Sequence, residues 1–148
     1  MSALPQPEGP DSQVYDDLPL MAVTVFLEAE SEPDEGKAGV AWVIRNRTDY
    51  GKRRLREVIV APWQFSCWNE DYRKQRTARL IAPDPEQWDR SWRAACGAYW
   101  RLIADPTGGA THYLNVELTR QIRPGHDLPD WYRADQVTAR IGRHEFLT

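Results

Sequence analysis

The residue of this chain best suited to chemistry is Glu28, within the stretch FLEAESEP. It follows the apolar run LMAVTV, and a helix that is apolar on nearly every side belongs in an interior, where a carboxylate is costly. Three features favour its protonated form: the apolar surroundings, a place in the last helical turn where the helix dipole is negative, and the neighbouring acids Glu30 and Glu32. A carboxyl that stays neutral at working pH is a general acid, the situation of the glutamate that lysozyme holds in an apolar pocket. The plainer alternative is that Glu28 caps a neighbouring backbone group or lies at the solvent edge of an imperfectly buried helix. One acid alone is a weak signal.

A second grouping is His112, His126 and His144, which with an acid could ligate a metal. The spacing argues against it, since there is no close pair such as HExxH and His126 sits in a Gly/Pro-rich loop. His144 reads more simply as a hydrogen bonder at the edge of a core, and Phe146 as core. Cys67 and Cys96 could form one bridge, but they read as free thiols.

The elements that must position Glu28 follow from turn chemistry and periodicity. Asp16 or Asp17 can cap a helix with Pro19 in its first turn, and the apolar run then continues to about Glu30, before Pro33. Thr24 and Glu28 are four apart and form its one polar stripe. Pro33 at N1, with Asp34 and Glu35 behind it, starts a second helix that stops by Gly51. LREVIVAP predicts a short helix, and WQFSCWNEDY an aromatic-rich loop. Asp84-Pro85-Glu86-Gln87 opens a helix to about Ala104, whose stripe of Trp88, Trp92, Ala95, Cys96, Tyr99 and Ile103 reads as core. After the DPTGGA turn, Thr111–Leu114 reads as a strand; Val137, Ala139 and Ile141 alternate as in a half-buried strand, with Gly142 turning it toward HEFL. The expected fold class is α+β: a helical body with a small antiparallel sheet toward the C-terminus.

Bulk properties narrow the function. A chain of 148 residues suits one domain able to bury a real core, and the 41% hydrophobic and 28% charged content argues against disorder of the whole. Residues 1–17 read as a loosely ordered, acidic, Pro-rich arm, leaving 18–148 as a single domain. The net charge of −3 argues against a nucleic-acid partner. Residues 45–79 nevertheless carry ten Lys and Arg against four acids, read first as a solvated helix face. No stretch approaches the length of a membrane span, and the N-terminus has neither the basic nor the apolar region of a secretory signal. Seven Trp and six Tyr suit a bulky core or a surface for flat ligands such as sugars. Nothing in the pattern demands more than a monomer.

Four blocks in order, LEAESEPDEGKAGVAWVIRNR, WQFSCW, DPTGGATHYLN and TARIGRHEFL, resemble the SleB/CwlJ family of bacterial cell-wall hydrolases. The resemblance implies a small, lysozyme-like, mostly helical catalytic domain. Such a domain cleaves the glycan strand of peptidoglycan between N-acetylmuramic acid and N-acetylglucosamine, as a lytic transglycosylase or muramidase, with no cofactor or metal. In the family's motif Gly-Glu-Ala-Arg-Gly-Glu the first Glu is the catalytic acid, and Glu28 matches it. Glu30 stands where the family usually has Arg, and Leu27 and Ser31 replace its glycines, so a lost cation should favour the protonated form of Glu28 further.

In the second block Gln64 is expected to hydrogen-bond an acetamido or hydroxyl group while Phe65 and Ser66 help shape the groove; a packed loop satisfying its own backbone is the alternative. In the third, Gly108 and Gly109 permit close backbone approach or merely make a turn, and Thr111, His112 and Tyr113 could line the cleft. A hydrolase would want a second carboxylate about 5–9 Å away, for which Glu32, Asp34, Glu35 and Asp105 are candidates. A transglycosylase needs none. Without the family's secretion signal and separate wall-binding domain, the expectation is synthesis in the cytoplasm and delivery as a phage endolysin or within a virion. Two rivals remain: a metal-dependent amidase or peptidase built on the histidines, and a non-catalytic wall-binding module in which Trp residues stack on sugars and the segment Arg45–Arg79 holds anionic polymer.

Overall fold

Asp17–Ala29 form α1, and the reason for its all-round apolar surface is its place at the centre of the domain. Leu20, Met21, Ala22, Val25 and Phe26 are at most 1% exposed, because α1 is packed against α2 (Asp34–Arg47), α3 (Leu55–Val60) and α5 (Pro85–Tyr99) together. The computed structural model describes residues 12–62, 64–123, 125 and 127–148. Residues 1–11 of the expected arm, Trp63 and His126 therefore lie outside the described residues; within the remainder of that segment, Arg56 donates to the carbonyls of Ser12 and Tyr15.

Local chemistry explains most boundaries. Pro33 is the N-cap of α2 rather than its first residue: its backbone is extended at ψ 165°, and its carbonyl accepts the N–H of Lys37. The Asp84 side chain accepts the Gln87 N–H at 2.9 Å with Pro85 at N1, as the sequence predicts. α5 ends at Tyr99 instead of near Ala104. Arg101 adopts φ 54°, and the N–H groups of Leu102 and Arg101 turn back to the carbonyls of Gly97 and Ala98, closing the helix early.

Two helices come without a sequence expectation. α4 (Arg73–Ile81) follows short 3-10 turns at Ser66–Trp68 and Glu70–Tyr72, both within the stretch read as a loop. α6 (Val116–Ile122) is capped by the Asn115 side chain, which accepts the Leu118 N–H at 2.9 Å.

The sheet has three antiparallel strands in the order β1-β3-β2: β1 is His112–Leu114, β2 Val137–Ile141 and β3 His144–Leu147. Thr111 precedes β1 and bonds the Leu147 carbonyl. The sheet docks on α2 through Val43, Ala110, Ile141 and Phe146. Gly39 makes that docking possible, since a Cβ there would stand 2.6 Å from Phe146 Cζ. The result is the mostly helical α+β domain with a small C-terminal sheet that the sequence predicts. Cys67 and Cys96 are both free, and among the described residues no helix is long and apolar enough to cross a membrane.

Candidate active site

Glu28 projects from the last turn of α1, where backbone carbonyls lack helical partners. Two cations occupy that end. Lys37 of α2, wholly buried, donates from Nζ to the carbonyls of Glu30 and Glu32; Arg79 of α4 donates to those of Leu27 at 2.8 Å and Phe26 at 3.3 Å. Arg79 also pairs with Glu30 at 2.7 Å.

The polar stripe of α1 faces the turn Ser66–Trp68. Trp68 Nε1 donates to Thr24 Oγ1 at 2.9 Å, and the Cys67 N–H makes a longer contact of 3.4 Å to Glu28 Oε1. The Cys67 thiol and the Tyr113 hydroxyl also hydrogen-bond the carboxyl. Arg76 fixes the turn by donating to the Cys67 carbonyl at 2.7 Å while lying over the Trp68 ring.

Burial pushes the proton affinity of Glu28 up; the hydrogen bonds from Cys67 and Tyr113 and the charge of Arg79 pull against it without cancelling it. Burial, reinforced by the charge of Glu28, drives the Cys67 thiol and the Tyr113 phenol well above their ordinary values. Two expectations are corrected here. Glu30 in place of the family's Arg does not leave Glu28 without a nearby cation, because Arg79 reaches the site from another helix. Nor do Glu30 and Glu32 drive the upward shift, which comes from burial: Glu30 is paired with Arg79, and Glu32 is engaged elsewhere.

Beside Glu28 opens a groove of about 530 Å³. Of the residues singled out in the sequence, Glu28, Gln64, Ser66, His112 and Tyr113 line it. Phe65 lies beneath, 1% exposed, with the Arg47 guanidinium 5.0 Å above its ring. Thr111 stands behind the lining: its carbonyl accepts from Arg47 Nε and its hydroxyl meets His112 Nδ1 at 3.0 Å. Gly109 does not line the groove. Its φ of 84° serves a loop around Asp105, to which its N–H donates at 3.0 Å.

Sequence reasoning missed Arg47, Asn115, Trp131 and Arg143, all in the lining, and the wall that α6 adds through Leu118 and Ile122. Asn115 did carry a signal, as a helix-capping residue ahead of an acid in the first turn. Trp131 lies 5.0 Å from the His112 ring. Burial first, and then the charge of Arg47, lowers the proton affinity of His112. Arg47 also reaches Gln64 Oε1 at 3.3 Å.

Of the four candidate second carboxylates, Glu32 lines the groove. Its oxygens accept the Arg143 N–H at 3.1 and 3.4 Å, and His144 Nδ1 is 3.2 Å away. His144 is buried at the core edge, as the sequence suggests, yet also borders the groove. Asp34 pairs with Arg90 elsewhere on the surface, and Glu35 is exposed in the first turn of α2. Burial alone would raise Asp105, but hydrogen bonds from Thr107, Asn46 and Gly109 outweigh it and hold the carboxyl below its ordinary value. His126 is outside the described residues, and among those described no three His, Cys, Asp or Glu side chains converge as a ligand set.

The sequence profile of the Cell Wall Hydrolase family matches residues 31–147. Among solved structures, the chain is similar to the catalytic domain of the germination-specific lytic transglycosylase SleB from Bacillus anthracis, at 25% identity and a TM-score of 0.64 over 90% of this chain and 97% of that one. It is also similar to the catalytic domain of the Bacillus cereus SleB protein, at 26% identity and a TM-score of 0.61 over 89% of each. No curated protein matches the sequence significantly.

Proposed function

This chain belongs to the Cell Wall Hydrolase family, and on that premise we propose that it cuts the glycan strand of peptidoglycan as a lytic transglycosylase, with Glu28 as its single acid and base. The observation that carries this reading is a half-buried carboxyl, its proton affinity raised by burial, at the edge of an open groove whose other acid, Glu32, is already committed to the Arg143 N–H.

Glu28 donates its proton to the glycosidic oxygen leaving C1 of an N-acetylmuramyl residue, and positive charge develops at that carbon. The carboxylate so formed is stabilised by the Tyr113 hydroxyl, the Cys67 groups and the charge of Arg79. It then accepts the proton of the same sugar's 6-hydroxyl while O6 bonds to C1, closing an anhydro ring and restoring the acid. No water enters the product. Gln64, Ser66 and His112 supply polar contacts along the strand, and Trp131 against His112 offers a flat face to a sugar ring.

Mass spectrometry of muropeptides released by the wild-type protein and by Glu28→Gln tests the reading. Anhydro-muramyl ends from the wild type and none from the variant are expected. Reducing ends would instead indicate hydrolysis, new free amines an amidase, and retained wall binding without any product a binding module.

A further inference from the structure

Two acids, Glu28 and Glu32, and two arginines, Arg47 and Arg143, line the groove, and among the described residues no ion pair joins the one set to the other. Arg47 is held by the Thr111 carbonyl, the Gln64 amide oxygen and the face of Phe65, none of which bears a charge. Arg143 is anchored differently. Its N–H is held by both oxygens of Glu32, and Gly142 before it has φ 56° and sits so close that a Cβ would stand 2.6 Å from Glu32 Oε2. The backbone is thus fixed at the tip of the β2–β3 turn, while the exposed guanidinium has no partner among the described residues.

We propose that Arg143 is a specificity residue that binds a carboxylate of the substrate, so that the groove takes strands whose muramyl residues carry ionised carboxylates and discriminates against neutral amino-sugar polymer. The inference rests on the glycan-cleaving reading above. Muramic acid offers that chemistry in two places, the lactyl group itself when unsubstituted and the acids of an attached stem peptide. Either would meet an unpaired guanidinium on an anchored stretch of backbone, its fork matching a carboxylate, with Arg47 adding positive potential from the same groove.

The test uses the full chain carrying Glu28→Gln, with and without Arg143→Ala, and measures binding calorimetrically to three soluble ligands: strands with intact stems, strands stripped by an amidase to free lactyl carboxylates, and stripped strands whose carboxylates have been converted to methylamides. Charged strands should bind about tenfold more tightly than the methylamides, the low end for a charge-assisted bond at an exposed site. Arg143→Ala should abolish that preference without weakening binding of the methylamides, and Arg143→Lys should restore part of it. Tighter binding of stripped than of stemmed strands assigns the lactyl carboxylate, a preference confined to stemmed strands assigns the peptide, and equal affinity of the two means that either carboxylate meets the guanidinium. Equal binding of all three, no binding of any, or a preference that survives Arg143→Ala overturns the inference. The proposed activity is judged separately, by the wild-type muropeptide products.

Discussion

The groove beside Glu28, of about 530 Å³, has a counterpart of about 560 Å³ between α2 and α5, and the two differ in what their charges touch. In the second hollow every acid meets a guanidinium in exposed surroundings: Asp34 and Glu86 share Arg90, each at 2.9 Å, and Asp89 meets Arg93 at 3.0 Å. Exposed pairs of that kind contribute little to stability and leave no group poised to exchange a proton. In the groove, by contrast, Glu28 is half-buried, its proton affinity raised by burial, and its contacts from Cys67 and Tyr113 come from neutral donors. Cavity size does not separate the proposed site from the second hollow; the burial of one carboxyl does.

The comparison is broken or sharpened by substitution. The largest contrast is in turnover: Glu28→Gln should lower kcat on cell-wall glycan about 10²–10⁴-fold, as expected for loss of a general acid, whereas Asp34→Asn and Arg90→Ala should leave rate and melting temperature unchanged. A comparable loss in the second pair would mean that the wrong hollow has been assigned. Next comes the support beneath the site. Lys37→Met strands the carbonyls of Glu30 and Glu32 that the buried ammonium satisfies, and should cost roughly 1–3 kcal/mol in urea unfolding.

Smaller effects follow the proton. The Tyr113 hydroxyl favours ionised Glu28, so Tyr113→Phe should raise the proton affinity of that carboxyl and move the alkaline limb of the pH–rate profile upward, with a loss of about tenfold or less in kcat. Finally, the unfolded chain ionises Glu28 at the ordinary glutamate value and the folded chain only at higher pH. The folded state therefore binds more protons across that window, and its stability falls as pH rises through it. Melting curves should show Glu28→Gln gaining on the wild type between acidic and mildly alkaline buffer; parallel curves would mean that burial does not control this group.

How much was legible in the sequence depended on whether apolar atoms or convergent polar ones did the work. α1 announced itself because its surface is apolar throughout, and the start of α5 because Asp84 and Pro85 spell a cap. α4 was invisible for a physical reason: RKQRTARLI buries an arginine, Arg76, where an ordinary helix would bury leucine. α6 has no buried residue, so its periodicity carries no signal. Within the site, Glu28 could be singled out from its neighbours in the chain. Arg47, Trp131 and Arg143 could not, since each becomes relevant only where α2, the loop after α6 and the β2–β3 turn meet. The prospective role of Gly109 was misplaced because a glycine pair reads the same whether it serves a ligand or an aspartate-centred turn.

The bond from Arg143 to Glu32 joins positions 111 residues apart, and both residues belong to the wall of the groove. Closing so long a loop is entropically costly and comes late in assembly, after the contacts of neighbouring helices have formed. During synthesis, a nascent chain that has released α1, α2 and α5 from the ribosome therefore still lacks part of the groove wall. A polypeptide interrupted before the β2–β3 turn would carry Glu28 without Arg143 and His144 in the wall beside it, so the groove proposed to receive the glycan is complete only once translation has passed the hairpin.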